Sequence, residues 1–206
     1  MIRGIAPLGQ KATLGSVMMW FQQYLKCAVA SLSVSAVLCA AMPAAAVDAA
    51  RLDDLFARLP QAHAGEAAQI EDEIALELAR SGSDAMDLLL ERGRDALAIG
   101  DFRSAIEHFT ALIDHAPDFA EGYNGRATAY YMAGLYGPSM QDIGRVLTVE
   151  PRHFGALSGL ALILEATDGA AKALEVLYAI REVHPHMTGL SDRMARLELH
   201  LEGTAL

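Results

Sequence analysis

Cysteine is almost absent from this sequence, which has only Cys27 and Cys39, both within the first 46 residues. The remainder of the chain therefore has no cysteine for a disulfide, for thiol catalysis or for a thiolate metal ligand. No set of histidines and acidic residues has the spacing of a zinc site. Phosphate-binding glycine loops and nucleophile–base motifs are missing as well. We therefore predict no catalytic residues, no metal and no cofactor.

Basic residues are also scarce after residue 46, where 13 of them stand against all 26 acidic residues of the chain. Lys172 is the only lysine in that region, and no basic cluster occurs there. An acidic surface repels polyanions, so we predict that the protein does not bind nucleic acid. Aromatic residues make up only 6% of the sequence. The predominance of alanine and leucine favours helix.

The N-terminal segment reads as an export signal. Residues 27–42 are an uncharged apolar run that follows Lys26 and precedes several small residues. A basic start, an apolar stretch and a small-residue cleavage site are typical of a secretory signal peptide. We therefore expect residues 1–46 to be an N-terminal extension and signal that is cleaved after Ala46, and the mature protein to act in the bacterial periplasm.

Two alternatives concern this same segment. It could be retained as an inner-membrane anchor, although its apolar run is short for a membrane span and is interrupted by Pro43. The true start of the protein could also be Met18 or Met19 rather than Met1, because the residues after Met18 alone supply a normal basic start.

A repeat of 34 residues is the main feature of the remaining chain, in which Pro117, Pro151 and Pro185 are evenly spaced. Three rows that begin at residues 86, 120 and 154 align without a gap. Bulky residues, small residues and proline recur at fixed positions of the rows. These positions are Gly93, Ala105, Phe109 and Pro117 in the first row, Tyr123, Ala127, Tyr130 and Pro151 in the second, and Leu157, Ala161, Ala173, Leu177 and Pro185 in the third.

Each row holds two apolar-periodic segments joined by a short break, which predicts a pair of helices. Small residues let the two helices approach closely, and the proline ends the second helix. The pattern resembles that of the tetratricopeptide repeat (TPR) family. The resemblance implies an all-α fold, a right-handed superhelical solenoid of helix-turn-helix repeats with flanking capping helices. The repeats are 86–119, 120–153 and 154–187.

Helical segments are expected on both sides of the repeats. Residues 47–85 are predicted to form an N-terminal helical pair that packs on the first repeat, with a flexible acidic stalk as the alternative. Residues 188–206 are predicted to form a capping helix and tail. The apolar stripe of that helix consists of Leu190, Met194, Leu197 and Leu201.

The resemblance to TPR proteins also implies that the first helix of each repeat lines a partner-binding groove. The candidate groove residues are Arg94, Asn124, Thr128, Tyr131, Met132, Ser158 and Leu162. Asn124 could hold a peptide backbone, and Arg94 could meet a carboxylate. Glu121 is expected to face the groove too. Gly155 and Gly159 would allow close approach of a ligand or another chain, unless they are simply tolerated in a well-packed helix.

The carboxylate clamp of chaperone-binding TPR proteins is missing from this pattern. Its places hold Leu90, Gly125, Gly155 and Gly159, and Arg94 is the only basic residue nearby. A chaperone C-terminal tail is therefore not expected as the ligand. We expect the histidines to lie in solvated loops.

The sequence thus predicts a non-enzymatic scaffold that binds a protein or peptide. A membrane-anchored assembly factor of the cell envelope is the alternative, and self-association is left open.

Overall fold

The computed structural model describes residues 49–167 and 169–204. The predicted signal segment, with both cysteines and the proposed cleavage site at Ala46, lies outside the described residues. Within the described ranges there are nine α-helices and no strand, which confirms the predicted all-α class. No helix in these ranges has the length and apolar character needed to cross a membrane.

The helices follow one another along the chain with short connections. They are α1 (Ala49–Arg58), α2 (Ala64–Leu78), α3 (Asp84–Ala98), α4 (Phe102–His115), α5 (Ala120–Met132), α6 (Tyr136–Val149), α7 (Phe154–Ala166), α8 (Ala170–Val183) and α9 (Leu190–Thr204), with a short 3-10 turn at Leu59–Gln61 between α1 and α2. Each second helix of a repeat ends two residues before one of the three regularly spaced prolines.

The helices pack as a repeat solenoid. Helices α3 and α4, α5 and α6, and α7 and α8 form successive pairs, and each pair packs on the next through α4 with α5 and α6 with α7. The first helices also contact one another, α3 with α5 and α5 with α7. We call the surface formed by α3, α5 and α7 the groove. The predicted helical repeat architecture is therefore confirmed.

Close contact within the pairs depends on small residues. The Ser139 hydroxyl is buried and donates a hydrogen bond of 2.7 Å to the Ala127 carbonyl across the α5–α6 interface. Phe109 of α4 is fully buried between α3 and α5. A Cβ added at Gly93 or Gly125 would lie 2.4 Å from its ring. Both positions therefore need glycine, because a methyl group there would overlap the ring.

Glycine is needed for a different reason in the turns inside the first two repeats. Gly100 and Gly134 have φ angles of +77° and +74°, in the left-handed region. No atom lies within 4 Å of where their Cβ atoms would be. Backbone conformation rather than lack of space selects glycine there.

The C-terminal helix α9 covers the end of the solenoid by packing on α8. Leu190 and Met194 are buried in the same hydrophobic core as the second and third repeats, and Leu197 and Leu201 pack against its edge. The opposite side of the helix is exposed, including Leu199, which is 71% exposed. The helix therefore screens apolar residues of the last repeat from water.

The N-terminal pair α1–α2 does not pack where we predicted. We expected it on the first repeat, and its core instead includes Val183 at the end of α8 in the third repeat. The Phe56 ring stands edge-on to Phe154 of α7, with ring centroids 6.4 Å apart. Leu55 and Leu59 of the pair are almost fully buried. The third repeat offers an apolar surface that its own helices leave uncovered, and the pair covers it.

Charged contacts reinforce this placement. The Arg152 guanidinium lies 2.7 Å from Asp53 of α1 and 4.4 Å from the centroid of the Phe56 ring. His184 Nε2 lies 3.0 Å from Glu71 of α2. Acidic residues of the pair thus meet cationic or hydrogen-bonding groups of the third repeat. Sequence periodicity carries no information about such a contact between segments about a hundred residues apart, so the prediction was wrong.

Candidate functional site

The groove contains a cavity of about 180 Å³ between α5 and α7. Five of the seven candidate groove residues line it. They are Asn124, Thr128, Tyr131, Ser158 and Leu162. The other lining residues are Ala127, Ser139, Ile143, Gly155, Ala156 and Gly159. Repeat packing therefore brings residues from two first helices and one second helix to a single cavity.

The polar side chains of this cavity use their hydrogens inside the protein. The Thr128 hydroxyl donates to the Asn124 carbonyl at 2.9 Å, and the Ser139 hydroxyl donates to the Ala127 carbonyl. The Ser158 hydroxyl points to the sulfur of Met187 at 3.7 Å. A hydroxyl has one hydrogen and two lone pairs, so these groups face the cavity mainly as acceptors.

The remaining wall is apolar and partly made by missing side chains. The Tyr131 ring stacks on Tyr136 with centroids 5.7 Å apart, which fixes its orientation. Leu162 is 39% exposed at the cavity rim. A Cβ at Gly159 would lie 3.5 Å from Ile143 Cδ1, an ordinary contact distance. The glycine therefore leaves free volume in front of Ile143, and an alanine would fit.

Two candidate groove residues lie outside the cavity. Arg94 belongs to α3, and its guanidinium lies 3.0 Å from a carboxylate oxygen of Glu121. The carboxylate that Arg94 meets is thus one of the protein's own. Met132 lies in the last turn of α5 and is 55% exposed.

Glu121 does not face the groove, contrary to our expectation, and is buried. One carboxylate oxygen lies 2.8 Å from His153 Nε2, and the Asn124 amide donates to the same oxygen at 3.4 Å. The His153 Nδ1 atom accepts a hydrogen bond from the backbone N–H of Ala156, which caps α7. Nε2 must therefore carry the hydrogen that bonds Glu121, which describes a neutral imidazole. The carboxylate turns inward because this imidazole and the Arg94 guanidinium compensate its burial.

The surroundings of Glu121 change its acidity. Burial by itself would raise the pKa of the carboxyl. The hydrogen bond from His153 and the charges of His153 and Arg94 act in the opposite direction and hold the pKa below its ordinary value. The side chain is therefore a carboxylate at neutral pH.

Two histidines are buried, although we expected the histidines in solvated loops. His153 and His184 are only 4% and 1% exposed. Each is bonded to a glutamate of another helix, Glu121 for the first and Glu71 for the second. In the ranges that the structure describes, no three or more His, Cys, Asp or Glu residues are grouped to hold a metal ion.

A second ion pair joins the two helices of the middle repeat. Arg126 of α5 makes two hydrogen bonds to Asp142 of α6, at 2.7 and 2.8 Å, and a third to Thr110 at 3.2 Å. The bonds to Asp142 raise the pKa of Arg126, although burial opposes this. Sequence analysis missed the pair. Its only signal was an arginine at a repeat position where leucine is usual.

Comparisons with known proteins agree with this geometry, although no protein-family model matches the chain. A TPR repeat-containing protein of Rhizobium etli is 36% identical over 152 residues, which cover 73% of this chain and 72% of that protein. A tetratricopeptide repeat protein 36 homolog of Nematostella vectensis is 31% identical over 120 residues, or 56% of this chain and 64% of that protein.

A solved structure shows the same fold. It is the first TPR of Spaghetti (RPAP3) bound to the HSP90 peptide SRMEEVD, which matches with a TM-score of 0.54 and 18% sequence identity. The match covers 57% of this chain and 93% of that chain.

Proposed function

Because the chain belongs to the tetratricopeptide repeat family, we propose that it is a non-enzymatic scaffold that binds a protein or peptide partner in its groove. The observation that carries this proposal is the cavity between α5 and α7, where five candidate groove residues meet. The peptide-bound structural neighbour supports a groove of this kind as a binding surface.

The proposed binding site is tested by two substitutions in the cavity. The tagged full-length chain is crosslinked in bacterial cells and recovered with its partners, which are identified by mass spectrometry. We expect at least one protein to be enriched with the wild type and lost with Tyr131→Ala and Asn124→Ala. Arg103→Ala is the matched control, since Arg103 is exposed on α4 and pairs only with Glu107. Recovery that is identical for all four chains would contradict binding in the groove.

We further propose that the protein acts in the periplasm. Support comes from the signal-like sequence of residues 1–46 and from the absence of cysteine after it. The alternative is an assembly factor of the cell envelope that keeps this segment as a membrane anchor. N-terminal sequencing of the protein from fractionated cells separates the two. A start at Val47 in the periplasmic fraction supports export with cleavage, and a longer protein in the membrane fraction supports the anchor.

A further inference from the structure

The chemistry of the groove defines what kind of peptide it accepts, provided that the proposed function is correct. We infer that the groove binds an extended segment of a partner protein that inserts an aliphatic side chain between α5 and α7 and places a basic residue over α3. The same groove excludes acidic segments.

The size and lining of the cavity select a single apolar side chain. Its volume is about 180 Å³, whereas pockets for whole small molecules begin at roughly 300 Å³. Ile143, Leu162 and the Tyr131 ring supply apolar wall, and Gly159 supplies the free volume. An aliphatic side chain from a peptide laid across the groove is removed from water there, which favours binding.

The hydrogen-bonding groups around the cavity favour donors on the ligand. The hydroxyls of Thr128 and Ser139 already donate to backbone carbonyls, so they can only accept from a ligand. The Asn124 side chain keeps its carbonyl oxygen and one amide hydrogen for a peptide backbone. Peptide N–H groups and ammonium groups find partners on such a wall. A carboxylate meets mostly acceptors and is left without hydrogen bonds.

Positive charge in the groove is neutralised from within. Arg94 is the only basic residue at the groove positions of α3, α5 and α7, and it pairs with the ionised Glu121 at 3.0 Å. On α9, the Arg193 Nε atom lies 2.6 Å from Glu165. The exposed Arg196 is also on α9, on the far side of α7 from α3. An acidic segment over α3 and α5 therefore finds no unpaired cation in the groove.

The α3 end of the groove is acidic. Asp87 and Glu91 are exposed and one helical turn apart. Asp87 accepts hydrogen bonds from Ser81 and keeps its negative charge, and the Glu91 side chain has no ion-pair partner within the described ranges. Neighbouring helices pack about 8–10 Å apart, and an extended peptide advances about 3.3 Å per residue. The basic residue should thus lie roughly four residues from the aliphatic one.

The inference is tested with short, uncapped-charge-free synthetic peptides and the full chain. Each labelled peptide is acetylated and amidated, contains one leucine in a Ser-Gly background, and carries lysine, serine or glutamate roughly four residues away. Both orders of the two residues are included. Fluorescence anisotropy measures each Kd at low salt. We expect the Lys–Leu peptide to bind about threefold to tenfold more tightly than the Glu–Leu peptide, and a Lys–Ser peptide to lose most binding.

Two pairs of variants locate the effect. Glu91→Lys should reverse the preference between the lysine and glutamate peptides, because it replaces the negative charge at α3. Its control is Glu175→Lys, which makes the same charge change at an exposed position of α8, outside the groove. Gly159→Leu should abolish binding of every leucine peptide by filling the cavity, whereas Gly159→Ala should bind. Circular dichroism confirms folding, and the Glu91 arm stands even if Gly159→Leu does not fold.

The outcomes separate this inference from the proposed function. Saturable binding that does not depend on peptide charge, on leucine or on Glu91 overturns the inference and leaves a peptide-binding groove. Failure of every peptide to bind overturns the inference as well. In that case the crosslinking experiment decides the proposed function by itself, because it depends on Tyr131 and Asn124 and uses no synthetic peptide.

Discussion

Phe109 shows how single residues determine the packing of this solenoid. Its ring fills the space left by Gly93 on one side and Gly125 on the other. A buried aromatic ring of this kind contributes a large apolar area to the core. The two glycines are therefore conditions for the placement of one side chain, and neither can be exchanged without moving it.

Replacement of Gly93 by alanine is expected to destabilise the protein by about 1–3 kcal/mol, because the new methyl group overlaps the Phe109 ring. The control is Gly137→Ala in α6, where no atom lies within 4 Å of the added Cβ. Alanine there should be neutral or stabilise by up to ~1 kcal/mol. Urea unfolding measures both free energies. Equal stabilities of the two variants would show that the ring moves without cost.

The Glu121–His153 contact gives the protein a specific pH dependence. The pKa of Glu121 is lower in the folded chain than its ordinary value of 4.5. Its stabilising effect is therefore fully present above that value and is lost as the pH falls through the lower folded-state pKa. We expect Glu121→Gln to lower the free energy of unfolding by about 1–3 kcal/mol near neutral pH, and the difference from wild type to shrink in acid.

Thermal melts across this pH range test the Glu121 prediction. Glu107→Gln serves as the control, since Glu107 is exposed on α4. A difference between wild type and Glu121→Gln that stays constant from neutral to acidic pH would show that the ionised carboxylate is not the stabilising form.

At the scale of elements, the main finding is the position of α1–α2 on the third repeat. Arg152 joins three partners there: Glu150 on its own loop, Asp53 on α1 and the face of Phe56. Hydrogen bonds to Glu150 and then Asp53 raise the pKa of Arg152, against the effect of burial. This one side chain therefore links the N-terminal pair to the start of α7.

Arg152→Ala should loosen the N-terminal pair without unfolding the repeats. We expect faster amide hydrogen exchange in α1 and α2 and unchanged exchange in α5 and α6, because only the pair loses a contact. Arg103→Ala, which removes an exposed ion pair on α4, should change neither region. Uniformly faster exchange throughout the chain would instead indicate a global loss of stability.

The capping helix α9 provides a second test of an element. Met194 is 4% exposed in the core that spans the second and third repeats. Met194→Ala should reduce the free energy of unfolding by about 2–5 kcal/mol. Leu199→Ala on the exposed side of the same helix should reduce it by less than about 0.5 kcal/mol. Urea unfolding compares the two, and similar losses would show that α9 is not docked on the core.

At the scale of the whole molecule, the two ends of the solenoid are unequal. The third repeat is covered by α9 and by the N-terminal pair, whereas α3 of the first repeat packs mainly on α4 and α5. Leu88 of α3 is 45% exposed. In repeat proteins stability depends on contacts between neighbouring units, so an end with fewer neighbours is weaker.

Hydrogen exchange should therefore be fastest, among the repeat helices, in α3 and slowest in α7 and α8. The expected order follows from the number of covered faces. Exchange measured by mass spectrometry on the native protein resolves the individual helices. Slower exchange in α3 than in α7 would contradict the unequal ends.

Much of the fold was predictable because the repeat has a local cause. Helix-forming composition, the recurrence of small and bulky residues and the prolines after each second helix act within one 34-residue unit. The cavity residues Asn124, Tyr131 and Ser158 follow from repeat position, since the packing of first helices brings equivalent positions together. The inward turn of Glu121 could not be predicted, because it depends on a histidine in the next loop.

The sequence by itself thus determined that the chain is helical, where its repeats begin and end, and which helices form the groove, because periodic patterns report local structure and nearest-neighbour packing. Only the tertiary structure decided that α1–α2 return to the third repeat and that Arg94, Arg126 and Arg152 are bonded to carboxylates of the protein itself. These pairings join residues that no period relates. They depend on distances in space, and they set the charge that the groove presents to a partner.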